Sequence, residues 1–211
     1  MGSGQQAVGR GTLGDPLLDP QRLSAYLQTH HLGPLQRFGQ HFLIDAEVLN
    51  AMVAASETDL EIPTIEIGAG LGVLTRALAR ERELRIGKGE RKIAPLLAVE
   101  RDRRLIPLLT ERVREFRSVH AVAADILGLD VVKHFSFLNS HFSIPPYDVI
   151  GNIPYNITAP IFRKFLTQAT RPRRLTFLTD QAVAEAIAAK PPHMSIRAIS
   201  VQVFAEPRIV R

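Results

Sequence analysis

The sequence predicts an α/β fold, a mostly parallel sheet with helices on both faces. Three observations carry that expectation. Short apolar runs, uniform rather than alternating, recur between segments of helical spacing, as strands buried on both faces do. A glycine-rich turn, Gly68-Ala69-Gly70-Leu71-Gly72, follows the first run directly. The first four runs lead straight into Gly68, Glu100, Asp125 and Asn152, residues unlike the apolar stretch before them. Ligands of open parallel sheets bind outside the carboxyl ends of the strands, so these four residues are expected to face one crevice.

The elements follow in order. Residues 1–20 are rich in Gly, Gln and Pro, lack periodicity, and read as a flexible tail. Residues 21–32 suit a short helix that Gly33-Pro34 would end. The extension is therefore assigned to residues 1–34 and the main domain to residues 35–211. Asp45 is placed to cap a helix whose apolar residues begin at Val48. Thr64–Gly68 reads as a strand and Val73–Arg80 as a helix; residues 81–95, charged and glycine-containing, read as an exposed insertion. Leu96–Glu100 is a second strand, Arg101–Phe116 a helix that Pro107 would kink, and Val119–Ala124 a third strand. Tyr147–Ile150 is a fourth strand, ended by Gly151. Thr158–Thr170 is a helix with Pro160 well placed near its start, Leu175–Leu178 a fifth strand, and 180–189 a helix.

Composition narrows the function classes. The chain has 211 residues, long enough for one domain with a real core. It carries 26 Lys and Arg against 21 Asp and Glu, a net charge of +5, which suits a polyanionic partner such as RNA without requiring one. The absence of cysteine excludes disulfides, thiolate metal sites and a Cys nucleophile, and permits a reducing compartment. No apolar run approaches the ~18 residues of a membrane span, so no membrane partner is expected. The amino terminus lacks a secretory pattern, and Asp15 and Asp19 make it more acidic than mitochondrial addresses usually are.

The strand ends admit a bland and a chemical reading. The glycine turn either lets a dinucleotide approach the backbone or merely turns the chain. Glu100 is either a ribose-binding acid, displaced along the chain by the 81–95 insertion, or an ordinary strand-end carboxylate. Asp125 either accepts from an adenine amino group or caps a turn. Gly151-Asn152-Ile153-Pro154-Tyr155 is either a strand end and turn or a base-holding loop. In the second reading the Asn152 side-chain oxygen and the Ile153 or Pro154 carbonyl accept from an aromatic amino group. Its nitrogen, a poor nucleophile while its lone pair is delocalised, becomes more pyramidal. Tyr155 stacks on the base, worth ~1–3 kcal/mol. Such chemistry needs proximity and orientation and no metal.

Arg37-Phe38-Gly39-Gln40-His41-Phe42-Leu43, Glu66-Ile67-Gly68-Ala69-Gly70, Val99-Glu100, Ala124-Asp125 and Asn152-Ile153-Pro154-Tyr155-Asn156 together resemble, in order, the motifs of the KsgA/Erm ribosomal RNA adenine dimethyltransferases. The wording is closer to KsgA, and the resemblance covers roughly residues 35–200. It implies a Rossmann-like class I S-adenosylmethionine-dependent methyltransferase of the cytoplasm. Its reaction would place two methyl groups on N6 of adenine, in the KsgA branch on two adjacent adenines near the 3′ end of small-subunit ribosomal RNA. By the same resemblance His41 and Leu43 contact the cofactor, and Gly68 lies by its methionine part. Glu100 holds the ribose and Asp125 the adenine. Asn152 touches both cofactor and target, with Pro154 and Tyr155 beside the base.

The resemblance also implies that the chain is incomplete at its carboxyl end. The family's Phe-x-Pro-x-Pro-Lys-Val loop, last hairpin and helical C-terminal domain have no counterpart before Arg211. Cofactor binding is thus better supported than turnover. The rivals are an Erm-like large-subunit enzyme, a non-catalytic RNA-binding or ribosome-assembly protein that keeps the site, and an NAD-type enzyme, in which the Asn-Ile-Pro-Tyr loop has no job. Arg80, Arg82, Arg85, Lys88, Arg91 and Lys92, and Arg171, Arg173 and Arg174, form either a solvated face or an RNA contact.

Overall fold

The computed structural model describes residues 14–32, 42–57, 59–86, 93–138, 146–154 and 157–210. Five apolar runs become strands: β1 (Thr64–Ile67), β2 (Leu96–Glu100), β3 (Val119–Ala123), β4 (Asp148–Asn152) and β5 (Arg174–Leu178). Among the described residues they form one sheet, all parallel, in the order β3-β2-β1-β4-β5. Ile67 lies opposite both Val99 and Gly151, Glu100 opposite Ala123, and Asn152 opposite Leu178. The register therefore aligns the carboxyl ends along one rim. The chain first winds from β1 through β2 to β3, then returns to the other side of β1 as β4. That reversal is the switch point where open α/β sheets bind ligands.

The helices are α1 (Pro20–Thr29), α2 (Ala46–Ser56), α3 (Val73–Ile86), α4 (Ile106–Val113), α5 (Val131–Leu138), α6 (Thr158–Thr167), α7 (Gln181–Ala188) and α8 (Ile196–Gln202). Alternation along the central strands supplies two cores, because successive side chains point to opposite faces. Leu96, Ala98 and Ile150 join Leu49, Leu74, Leu78 and Leu109 on one face. Ile65, Ile67, Leu97, Val99 and Val149 join Val131, Phe135, Ile161 and Phe165 on the other. β1 presents Thr64 and Glu66, rather than apolar residues, between those outward neighbours, and both are buried.

Several sequence expectations are corrected. Residues 14–20 are no tail: Asp15 and Leu17 are buried, Leu17 in the first core, and Asp19 caps α1 by accepting from Arg22 N. Residues 87–92 of the expected insertion lie outside the described residues. Helix α3 runs on to Ile86, so residues 81–86 are helix rather than loop, although Glu83, Leu84 and Arg85 are exposed as expected. The reason is Arg82. It is fully buried, and its guanidinium donates to the carbonyls of Ala94, Asp59 and Ile62 and to Thr64 Oγ1, tying α3 to the entry of β1 and β2. Burial lowers Arg82 to about 10, against the charges of Asp148 and Asp59, so it stays a cation at neutral pH. Helix α4 starts only at Ile106, and Pro107 sits in its first turn, where the missing N–H costs nothing and no kink arises. β4 continues through Gly151 to Asn152, so Gly151 does not end it. Helices α5 and α8 are additions to the sequence reading; Asp45 does cap α2, accepting from Glu47 N and Val48 N.

Candidate active site

The rim is assembled from the turn after β1 outward. Gly68, Gly70 and Gly72 all have positive φ, at 71°, 55° and 78°. Gly72 disfavours any other residue: a Cβ there would lie 2.8 Å from Leu109 Cδ1, which would have to shift, in a backbone conformation that side chains rarely adopt. Gly68 N and Ala69 N both donate to the Val99 carbonyl, at 2.9 and 3.1 Å, and Gly72 N donates to the Ala69 carbonyl at 2.8 Å.

Glu100, the last residue of β2, is 3% exposed and locks the turn. Its Oε2 accepts from Gly70 N at 2.8 Å and its Oε1 from Asp102 N at 2.7 Å. Burial raises its carboxyl above the ordinary range, opposed by the amides of Asp102, Gly70 and Arg101. Asp102 behind it is held below the usual carboxylate range by the Arg104 guanidinium, which grips both its oxygens.

Asp125 lies just beyond β3. Its side chain is 46% exposed; Oδ1 accepts from Leu127 N at 3.0 Å and Oδ2 stands 3.6 Å from Arg101 Nε. The turn-capping reading of Asp125 is thus met, while its exposed position on the rim keeps the ligand reading open.

On the far side of β1, Gly151 lets β4 approach closely, since a Cβ would lie 2.7 Å from the Ile67 carbonyl. The approach brings the Asn152 carbonyl within 3.7 Å of where a Cβ on Gly68 would stand, so the backbones of the two strand ends meet. Ile153 is buried and donates its N–H to Leu178. The Pro154 carbonyl accepts from Ile157 N at 3.1 Å and Thr158 Oγ1 at 3.3 Å, starting α6. Of the two carbonyls weighed from sequence as acceptors, Pro154 is thus engaged by its own chain.

Leu43 is partly buried against the core beside the turn. His41 and Tyr155 lie outside the described residues. Sequence reasoning quoted Phe42 but gave it no role. Its ring covers the turn, 3.5 Å from the position a Gly70 Cβ would take. Nothing in local spacing announces that contact, because the partners are far apart in the chain. Also unforeseen is Glu66, buried behind the turn with its Oε2 unpartnered among the described residues. Burial pushes its carboxyl up to about 8, with Thr75 opposing and the charge of Glu100 adding.

The basic residues divide. Arg82 is internal, Arg173 pairs with Asp148 at 2.7 Å, and Arg174 pairs with Glu57 at 2.6 Å while donating to the Ser56 carbonyl. Arg171 lies over the Phe204 ring at 5.2 Å. Lys88, Arg91 and Lys92 are outside the described residues. Among the described residues no helix is long and apolar enough to cross a membrane.

Comparison with known proteins gives a consistent result. The family model described as ribosomal RNA adenine dimethylase matches residues 35–210. Ribosomal RNA small subunit methyltransferase A of Streptococcus pneumoniae is 32% identical over 180 residues, covering 85% of this chain and 57% of that protein. The chain thus spans somewhat over half the length of the curated relatives it matches. Among solved structures, the 23S rRNA methyltransferase ErmE aligns with a TM-score of 0.57 at 24% identity, covering 74% of this chain and 54% of that one. A dimethyladenosine transferase from Plasmodium falciparum aligns with a TM-score of 0.57 at 20% identity, covering 77% and 52%.

Proposed function

The chain belongs to the ribosomal RNA adenine dimethylase family, with the Rossmann-like class I methyltransferase fold, and we propose that it transfers methyl groups from S-adenosylmethionine to N6 of adenine in ribosomal RNA. Its targets on this reading are two adjacent adenines near the 3′ end of the small-subunit RNA; the name of its Streptococcus pneumoniae relative supports the small-subunit RNA as the substrate. The observation that carries the reading is the meeting of Asn152 with Gly68 at the switch point, which sets the amide loop against the glycine turn.

S-adenosylmethionine, when bound, supplies a methyl group activated by its sulfonium. The fit rests on this chain's own rim: a turn of three positive-φ glycines and, at the end of β2, the buried carboxylate of Glu100. Glu100 would hold the ribose hydroxyls, and Asp125 would accept from the adenine amino group. His41 and Leu43 would contact the cofactor, and Gly68 would lie by its methionine part. The Asn152 side-chain oxygen would accept one N–H of the target adenine. With Pro154 O already engaged, the second acceptor falls to the Ile153 carbonyl, and Pro154 serves by stiffening the loop. Tyr155 would stack on the base. Orientation does most of the work, and a misplacement of about 1 Å can cost ~10²-fold. An adenine in structured RNA must first leave its stack.

The test is transfer of labelled methyl to immature small ribosomal subunits, with large-subunit RNA as counter-substrate. Label on small-subunit adenine, reduced by about 10²-fold or more in Asn152→Ala, supports the proposal. Label on large-subunit RNA would move the substrate to that subunit. No label on either RNA, from folded protein that still binds S-adenosylhomocysteine, would replace transfer by binding alone.

A further inference from the structure

The glycine turn is held from two sides, and only one belongs to the rim. On the inner side Glu100 accepts from Gly70 N. On the outer side Arg112, from α4, donates Nε to the Leu71 carbonyl at 2.6 Å. The peptide that carries this carbonyl also carries Gly72 N, which donates to Ala69. Both ends of one peptide unit are therefore pinned, and its orientation sets the course of the chain between two positive-φ glycines.

Arg112 is in turn held by the segment before α1. Its Nη2 lies 2.7 Å from both oxygens of Asp15. Asp15 also accepts from Arg76 Nε at 3.1 Å and from its own turn at Leu17 N. Arg76 donates to the Arg112 carbonyl and pairs with the exposed Glu115 at 2.8 Å. The two guanidinium groups are mostly buried side by side, and the Asp15 carboxylate, buried itself, lies between them. Without it, like charges repel in a poorly solvated place, and Arg112 gains by swinging toward water. Its Nε would then leave Leu71.

We infer that Asp15 is a positioning residue for the glycine turn, acting through Arg112 on the Leu71 carbonyl, so that the amino-terminal segment is part of the support of the cofactor site. The inference rests on reading that turn as the adenosyl site. It also explains why a stretch rich in turn residues is packed: Leu17 and Leu23 sink into the same core as Leu71 and Leu109, which presents Asp15 to both arginines.

The experiment compares the full chain with Asp15→Asn, Asp15→Glu and Glu115→Gln by amide hydrogen exchange and by S-adenosylhomocysteine titration. Amides of residues 68–74 should exchange at least ~10-fold faster in Asp15→Asn, while those of 147–151 keep their rate. Ligand affinity should fall on the order of fivefold. Asp15→Glu should recover part of both, and Glu115→Gln, which strips Arg76 of its exposed partner only, should change neither. Unchanged exchange at the turn in Asp15→Asn overturns the inference. So does equal acceleration at 147–151, which would mean general loss of stability. If the unsubstituted chain binds no S-adenosylhomocysteine, the functional reading fails, and the exchange pattern still decides whether Asp15 positions the turn.

Discussion

The two flanks of the sheet are built differently. On one side the inner strand β2 is buried throughout while the edge strand β3 is not, and the helices α3 and α4 close over a large core that includes Leu17, Leu109 and Phe116. On the other side β4 is buried except at Asn152 and the edge strand β5 is not, so the strands match and the difference lies in the helices: the outer cluster under α7 and α8 has three buried members, Leu166, Ile187 and Val201. Helix α8 even leaves Ile196 and Ile199 to solvent, with Val203 exposed at its C-cap. The buried polar connections are spread more widely: Glu100 and the Asp15–Arg112 pair hold the glycine turn, Arg82 ties the opposite ends of β1 and β2, and Asp148 of β4 pairs with Arg173. The difference teaches that helical packing is thickest beside the glycine turn, where the proposed cofactor would lie. The other flank adds the α6 side of the second core and main-chain pairing such as Ile153 N to Leu178, which levels the Asn152 end of β4.

Three substitutions sharpen or break this contrast. The largest effect is expected from Arg82→Ala. It strips the Ala94, Asp59 and Ile62 carbonyls of a charged donor in a dry interior, and should cost about 3–5 kcal/mol in denaturant unfolding. A loss of less than about 1 kcal/mol would show that the β2 flank does not depend on its polar seam.

The second effect depends on pH. Glu66 is raised from 4.5 to about 8, so the native state holds its proton where the unfolded chain has lost it. Its contribution to stability is complete below about 4.5, declines as pH rises, and is gone above about 8. The slope is at most about 1.4 kcal/mol per pH unit. Glu66→Gln removes this titration. Stability of the variant relative to the parent should rise steadily across that window and level off beyond it. Urea melts from pH 5 to 9, about the window, read this directly, and parallel curves for the two proteins would refute the buried neutral acid.

The smallest effect is expected from Ile196→Ser on α8. At 85% exposure, the side chain has almost nothing to lose in the monomer, and stability should move by no more than ~0.5 kcal/mol. A clear loss in thermal unfolding would mean that this face is covered in solution, and the contrast between flanks would shrink.

Much of this was legible in the chain. The strands could be read because uniform apolar runs and glycine punctuation are local signals, and the order of the motifs led to the family and to the row Gly68, Glu100, Asp125 and Asn152. Boundaries were less legible where packing overrides propensity. The run Glu81-Arg82-Glu83-Leu84-Arg85 looks like solvated insertion, yet carbonyls from three distant positions draw Arg82 inward and the helix with it. Pro107 looks like a kink until the helix is seen to begin one residue before it. Asp15 looks like tail composition until two arginines from separate helices meet it.

The sequence by itself determined the class of fold, the parallel alternation of strand and helix, and the residue types that end the strands, because periodicity and turn chemistry act over a few neighbouring residues. Only the tertiary structure decided that Glu100 locks Gly70, that Phe42 covers the glycine turn, that Pro154 spends its carbonyl on α6, and that Arg82 and Asp15 are interior. Each of these joins residues whose environment exists only once the chain has packed. Burial then decides which charges must find partners, and no local pattern carries that information.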